Sequence, residues 1–374
     1  MPRSHCYNRA ILRTERGMYM HMADALLAPA VAATMYAASA VTVGASVKTL
    51  KKDETAAKLP TMAVTSALVF AGQMINYTIP GTGSSGHLCG GMLLSALLGP
   101  QAGFLSMVVI LTIQCLFFAD GGLLALGANC WNMAFYGCFV GYYLLWRPMM
   151  RSRLFDSMGA KAAGRIRIIL ASVLGCVLTL QLGAFSVVLE TSASGVTELP
   201  FAAFVAIMQP IHLAIGLVEG LITSAVLLFV YEARPELLMD VNKEAADAQG
   251  RCSLRTTLAV LTAVVVVVGG GLSLVASANP DGLEWSMFGN AEAGYSTNMG
   301  LDEESYGISS GAAETFGAIQ EKTAFLPDYA FANSDSAAGT SVSGLVGSAM
   351  VAGAAILVCV AGGFFRRKKI AEKA

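Results

Sequence analysis

Residues 203–231 read AFVAIMQPIHLAIGLVEGLITSAVLLFVY, a run whose only acid is Glu219 and whose only imidazole is His212. Wound as a helix at 1.5 Å per residue, it outspans a hydrocarbon core of about 30 Å, which takes roughly 20 residues. Only helices or closed barrels satisfy their own backbone in lipid, and a continuous apolar run of this length is the helical case. Eight further runs lie near 25–47, 61–79, 87–101, 102–118, 121–146, 166–190, 256–277 and 343–365. The expected fold is therefore all-α: a polytopic membrane helical bundle of about seven spans with a two-span C-terminal module. Composition agrees, since 55% apolar and 13% charged residues with a mean hydropathy of +0.61 exclude an ordinary soluble domain.

The run at 87–101 is short and carries Gly90, Gly91 and Gly99, so alone it fits a re-entrant segment as well as a span. Loop charges decide how it is counted. Lys48, Lys51, Lys52 and Lys58 follow the first run, and Arg147, Arg151, Arg153, Lys161, Arg165 and Arg167 follow the fifth. Arg234, Lys243, Arg251 and Arg255 follow the seventh, and Arg366, Arg367, Lys368 and Lys369 follow the ninth. All four groups share one face only if the third and fourth runs each cross once, and that face is then cytoplasmic. Met20, the Gly81–His87 loop and residues 278–342 fall outside. The expected location is the cell (inner) membrane, multi-pass, with the N-terminus outside and the C-terminus cytoplasmic.

Four stretches follow from this. Residues 1–19 carry four Arg and no apolar core, which is neither a signal peptide nor compatible with an outer position, so translation starting at Met20, or removal of the segment, is the simplest expectation; an ordinary extension is the alternative. Residues 20–232 hold about seven membrane segments. Residues 233–255 form a polar cytoplasmic linker. Residues 256–374 hold the last two spans, joined by 278–342, which has ten acids, one Lys and few large apolar residues and is expected to fold weakly or only against a partner. The eight Cys contain no CxxC pair and mostly sit within or beside apolar helices, where the residue commonly packs. The 18 Met are spread along the runs and are read as core. Short basic clusters and a net charge of −1 exclude nucleic-acid binding, and the lack of GxxxxGK[ST] excludes ATP binding through a P-loop.

The chemistry is concentrated at Met20-His21-Met22-Ala23-Asp24. If Met20 comes first, its amine, the His21 amide nitrogen and the His21 imidazole chelate one ion through fused small rings, an in-plane nitrogen set suited to Ni(II) or Cu(II). A fourth nitrogen is needed, and only His5, His21, His87 and His212 exist. His87 ends the loop Pro80-Gly81-Thr82-Gly83-Ser84-Ser85-Gly86-His87, whose glycines allow close backbone approach to an ion. The alternative is that His87 caps a helix beside a tight turn. His212 and Glu219 lie on one helix face, while Asp120 and Glu190 lie near span ends, and ionisable groups inside a membrane are usually functional. Asn76, Ser85, His212 and Glu219 are candidates for an outer shell, His212 being read more readily as an interhelical contact. A membrane-embedded serine hydrolase, with Ser85 as nucleophile and His212 as base, is the competing class; no oxyanion or orienting group accompanies it.

Met20 to Leu27, Gln73-Met74-Ile75-Asn76, Pro80 to Gly91 and Phe118-Ala119-Asp120-Gly121-Gly122 resemble the nickel/cobalt substrate-binding M subunits of energy-coupling factor transporters, over roughly 20–232. The last module, with Asn279-Pro280-Asp281-Gly282-Leu283-Glu284-Trp285, looks like the two-span N subunit, so the whole resembles an MN fusion. The resemblance implies Ni2+ or Co2+ as transported substrate, with ligands at Met20, His21 and His87. It also implies partners, a transmembrane coupling subunit (T/Q type) and cytoplasmic ATP-binding subunits (A/O type). The MHMADALL start and the GTGSSGH loop look more like nickel members, with cobalt as the alternative. The departure is the 19-residue extension, which would convert the Met20 amine into a peptide bond.

Overall fold

The computed structural model describes residues 21–50, 52–196, 200–241, 252–296, 307–331 and 336–371. It is a helical bundle. Its long helices are α1 (Pro29–Thr49), α2 (Lys52–Gln73), α4 (Pro100–Phe118), α5 (126–151), α6 (Ala160–Ala193), α7 (Phe201–Ala233), α8 (Leu254–Gly270) and α11 (Ala338–Ala371). A short α3 (Gly91–Leu98) precedes α4, and α9 (Gly282–Phe288) and α10 (Gly311–Thr323) lie between the last two long helices. Six helices among the described residues are long and apolar enough to cross a bilayer: Pro29–Thr49, Pro100–Phe118, Ala160–Ala193, Phe201–Ala233, Leu254–Val275 and Ala338–Leu357.

The runs expected at 61–79, 87–101 and 121–146 take other forms. The α2 helix begins earlier, at Lys52, and ends at Gln73, after which the polar Asn76 and Thr78 lead into a hairpin of β1 (Tyr77–Ile79) and β2 (Ser84–Gly86), paired antiparallel with Thr78 opposite Ser85. In the third run, before α4 begins at Pro100, only Gly91–Leu98 is helical, about 12 Å of rise. Gly90 (φ 84°) and Gly99 (φ 87°), both in the left-handed region open to glycine, bracket it. The preceding stretch covers the remaining depth without helix, because His87 lies beside His21 while Ala96 accepts a 2.8 Å hydrogen bond from Met239 N at the opposite end of the bundle. In α5, Cys130–Val140 and Tyr142–Trp146 are wound as π-helix, and the element continues to Arg151.

Small residues set the helix spacings, as expected where apolar lipid offers no hydrophobic drive to associate. On α7, a Cβ at Gly216 or Gly220 would stand 2.9 Å from Val177 Cα and 2.6 Å from Val173 Cα of α6. Between α8 and α11, a Cβ at Gly344 would stand 2.1 Å from the Gly269 carbonyl oxygen. Between α1 and α5, Ser39 donates to Gly127 O at 2.7 Å. Both C-terminal helices pack against α2, and Phe70, Phe104, Phe118, Trp146 and Tyr231 fill the core.

Contacts sort the loops by end. The linker's first residues dock beside the basic cluster: Arg151 is paired with Asp240 at 2.6 Å, Tyr142 donates to Asp240, and Trp146 donates to Met239 O. Residues 242–251 of the linker lie outside the described residues. At the opposite end, the segment expected to fold only weakly is ordered against the first module. It forms α9, α10 and a small β3–β4 hairpin (Gly289–Asn290 with Tyr295–Ser296), and four of its large apolar residues pack on that module: Met287 and Phe288 join Leu26 and Leu27, while Leu326 and Tyr329 join Phe70 and Phe118. The partner it needs is the chain's own amino-terminal module.

Candidate metal centre

The strand of sequence that opens the described chain is held from three sides. Asn129 of α5 accepts from Met22 N at 3.0 Å and donates to Met22 O at 3.1 Å, and Gly122 N donates to the same carbonyl at 3.0 Å. Asp24 accepts from Ala125 N at 3.0 Å, and burial pushes its carboxyl up to about 6. The two glycines after Asp120 admit this approach. Gly121 has φ 77°, and a Cβ there would lie 2.7 Å from His21 Cβ; a Cβ at Gly122 would lie 2.5 Å from Asp24 N.

His21, 3% exposed, brings its Nδ1 to 2.7 Å from Asp120 Oδ1, and its Nε2 is buried without a hydrogen-bond partner. Asp120 stands just beyond the end of α4, where Ala119 takes the left-handed conformation (φ 55°) and Asp120 N bonds back to Gln114 O at 3.1 Å, a helix-terminating turn that throws the carboxylate towards His21. The His87 ring centroid lies 5.6 Å from that of His21. Both imidazoles, His212 and Asp281 line a half-open pocket of about 110 Å3, walled also by Met22, Asn129, Asn132 and residues of α6, α7 and α9. Asp281 caps α9 by accepting from Glu284 N at 2.8 Å, and burial raises its carboxyl, opposed by the nearby His87 and His21.

The other candidates separate. His212 lines the cavity and bonds through Nδ1 to Met208 O, one turn back in its own helix, at 2.8 Å. Glu219 faces the chain after the loop histidine, accepting from Cys89 N at 3.1 Å and Gly90 N at 2.9 Å, so it fixes the path of 87–90. Asn76 is buried and its carbonyl accepts from Ser277 N at 2.7 Å, away from the cavity wall. Ser85 is buried, its hydroxyl donating to Asn279 O at 2.8 Å and its amide to Pro280 O at 2.8 Å. It therefore fastens the loop to the C-terminal module, and the hydrolase arrangement with His212 as its base is not formed. Met20 lies outside the described residues.

Two of the three loop glycines make room for protein: a Cβ at Gly86 would stand 2.6 Å from Ile215 Cγ1, and one at Gly83 (φ 69°) 2.5 Å from Tyr295 Cδ2. Asn290 donates to Gly83 O at 2.7 Å and Tyr295 to Gly81 O at 2.6 Å, so the segment between α8 and α11 grips the loop along its length. Gly282 meets His212 and Ile215 in the same way, with 3.0 Å and 2.8 Å to the nearest atoms of a Cβ. Sequence reasoning noted Asp120 as an ionisable residue near a span end without pairing it to His21, named Asp281 only within the Asn279–Trp285 motif, and missed Asn129 and Tyr329.

Comparison with known proteins accords with this arrangement. A family model described as the cobalt uptake substrate-specific transmembrane region matches residues 21–237, and a PDGLE domain model matches 255–362. A candidate fused nickel transport protein, NikMN, of Archaeoglobus fulgidus is 36% identical over 333 residues, covering 89% of this chain and 95% of the relative. The fused nickel transport protein NikMN of Rhodobacter capsulatus is 30% identical over 353 residues, with 89% and 95% covered. The cobalt transport protein CbiM of Sorangium cellulosum is 33% identical over 181 residues, 48% of this chain and 76% of the relative. With a helical membrane bundle, a histidine-lined pocket and family matches over both of its parts, this chain belongs to the nickel and cobalt transport protein family.

Proposed function

We propose that the chain is the substrate-capture component of an ATP-driven nickel uptake transporter of the energy-coupling factor type. The observation that carries this reading is the pairing of His21 and His87 across one pocket, with His21 Nε2 left without a partner. An orphaned buried nitrogen is costly and calls for an explanation, and an imidazole that turns over to bind an ion supplies one, because Nε2 then reaches the Asp120 carboxylate. Among the described residues no three His, Cys, Asp or Glu side chains gather closely enough to hold an ion unaided. That favours a donor set that draws on the main chain of a protein beginning at Met20: the Met20 amine, the amide nitrogen and imidazole of His21, and the imidazole of His87.

In this set the six-membered ring to the His21 amide closes through Nδ1, the nitrogen that faces Asp120 here. Capture therefore includes a half-turn of the imidazole about Cβ–Cγ, which moves Nδ1 to the ion and brings Nε2 to the Asp120 side. The carboxylate then fixes the tautomer and orientation of a ligating histidine, a common outer-shell role.

The ion enters from the outer face, and residues 20–232 act as the binding module with 256–374 as its two-span companion. The C-terminus and the linker are cytoplasmic, which the positive-inside rule favours because the basic Arg147–Arg151 end carries the linker. Energy comes from partner subunits, a transmembrane coupling subunit and cytoplasmic ATP-binding subunits. Nickel is preferred because the fused relatives are named for it, and cobalt is the second reading because the matching family model is described by cobalt uptake. Uptake of radioactive nickel by cells expressing the chain with those subunits tests this. Uptake is expected to vanish with His21→Ala and on omission of the ATP-binding subunits. Nickel accumulation that survives His21→Ala would defeat the reading.

A further inference from the structure

Asp120 is 4% exposed and spends both carboxylate oxygens on side chains. Oδ1 lies 2.7 Å from His21 Nδ1, and Oδ2 accepts from the Tyr329 hydroxyl at 2.6 Å. A carboxylate held at one oxygen is free to pivot, whereas one held at both has its plane, and so the direction it offers the imidazole, fixed. Tyr329 comes from the outer segment of the C-terminal module, more than 200 residues away in the chain.

Nothing about Tyr329 is casual. It is 3% exposed, its ring stacks on Phe118 (4.9 Å between centroids, 20° between planes) and meets Phe70 edge-on at 6.4 Å. Its backbone and that of Asp328 both have left-handed φ, 58° and 53°, a conformation non-glycine residues adopt when their surroundings impose it. Leu326 N bonds to Phe117 O, and Gln320 Nε2 donates to both Cys115 O and Gly121 O, so the segment is tied to the end of α4 on either side of Asp120.

We propose that Tyr329 is a positioning residue for the metal site: through its hydrogen bond to Asp120 it sets the orientation of His21, so that the ion affinity of the amino-terminal module depends on the outer segment of the carboxy-terminal one. The proposal rests on the reading of His21 as a nickel ligand. Its consequence is that lifting the 326–331 strap off α4 releases Asp120, loosens His21 and weakens the ion's hold, without any ligand being displaced.

The test is equilibrium Ni2+ binding to the purified full chain, with the visible d–d band of the bound ion recorded at the same time. Tyr329→Phe keeps the ring stack and removes only the hydroxyl. It is expected to weaken Ni2+ binding about tenfold, the lower end for loss of an outer-shell partner, and to shift the band. In an Asp120→Asn background, the same substitution is expected to change affinity by less than about twofold, because the two act in series. Equal losses in both backgrounds would assign Tyr329 a merely structural role and overturn the proposal, as would unchanged affinity and an unchanged band in Tyr329→Phe. A His21→Ala variant run in parallel separates the two levels. Loss of binding there with an unaffected Tyr329→Phe overturns the relay alone, and retained binding in His21→Ala overturns the metal reading together with it.

Discussion

His87→Ala is expected to lower Ni2+ affinity by at least about 100-fold, since loss of an outer-shell partner alone is worth 10–100-fold and this change removes a ligand. Three imidazoles line the pocket; His212 bonds through Nδ1 to Met208 O of its own helix, and His87 Nδ1 lies 3.2 Å from Leu88 O. His21 and His87 are the pair whose rings approach each other, at 5.6 Å between centroids. His212→Ala accordingly has the smaller effect. Isothermal titration of the purified chain with Ni2+ checks both variants, and equal losses at the two positions would show that the ion is held deeper, against α7.

The second large effect is expected at a residue that carries no donor. Gly121→Val should abolish measurable Ni2+ binding while the apo-protein keeps its helical circular dichroism. Gly121 has φ 77°, a region that costs a β-branched residue at least 1–2 kcal/mol, and its Cβ would lie 2.7 Å from His21 Cβ and 3.0 Å from Asn129 Nδ2. The obstructing atom is the first carbon of the His21 side chain, fixed to a backbone that Asn129 holds through Met22, so His21 cannot swing aside without leaving its hydrogen bonds. Gly121→Ala should fall between the wild type and valine. Native affinity in Gly121→Val would mean that His21 is not held where its contacts with Asp120 and Asn129 put it.

How much of this was legible in the sequence depends on the kind of signal. Long apolar runs announce helices by length alone, and Ala160–Ala193 and Phe201–Ala233 appear where the runs at 166–190 and 203–231 lie. Hydropathy carries no information on where such a run stops being helical, which is decided by single residues. Gly90 and Gly99 shorten α3, and the polar Asn76 and Thr78 turn the end of the second run into a hairpin. His21 and His87 stood out because the chain has only four His.

The residues that support them were hidden by distance. Asp120 is 99 positions from His21, and Tyr329 lies in a segment whose composition suggests weak folding. Composition counts apolar residues without seeing that a few of them fit particular sites, as Tyr329 does against Phe118. The loop glycines were visible, but what they make room for was not. Only the packed structure shows Ile215 and Tyr295 occupying that space and Ser85 spent on carbonyls of the C-terminal module.

The central claim is that nickel is bound by nitrogen alone, from the Met20 amine, the His21 amide and imidazole, and the His87 imidazole. An X-ray absorption spectrum at the nickel edge of the loaded protein whose first residue is Met20 tests it most directly. The account predicts a planar four-nitrogen first shell with outer-shell scattering from two imidazole rings, the geometry expected of in-plane nitrogen donors. A first shell containing sulfur, a six-coordinate oxygen-rich ion, or scattering from no imidazole would contradict it.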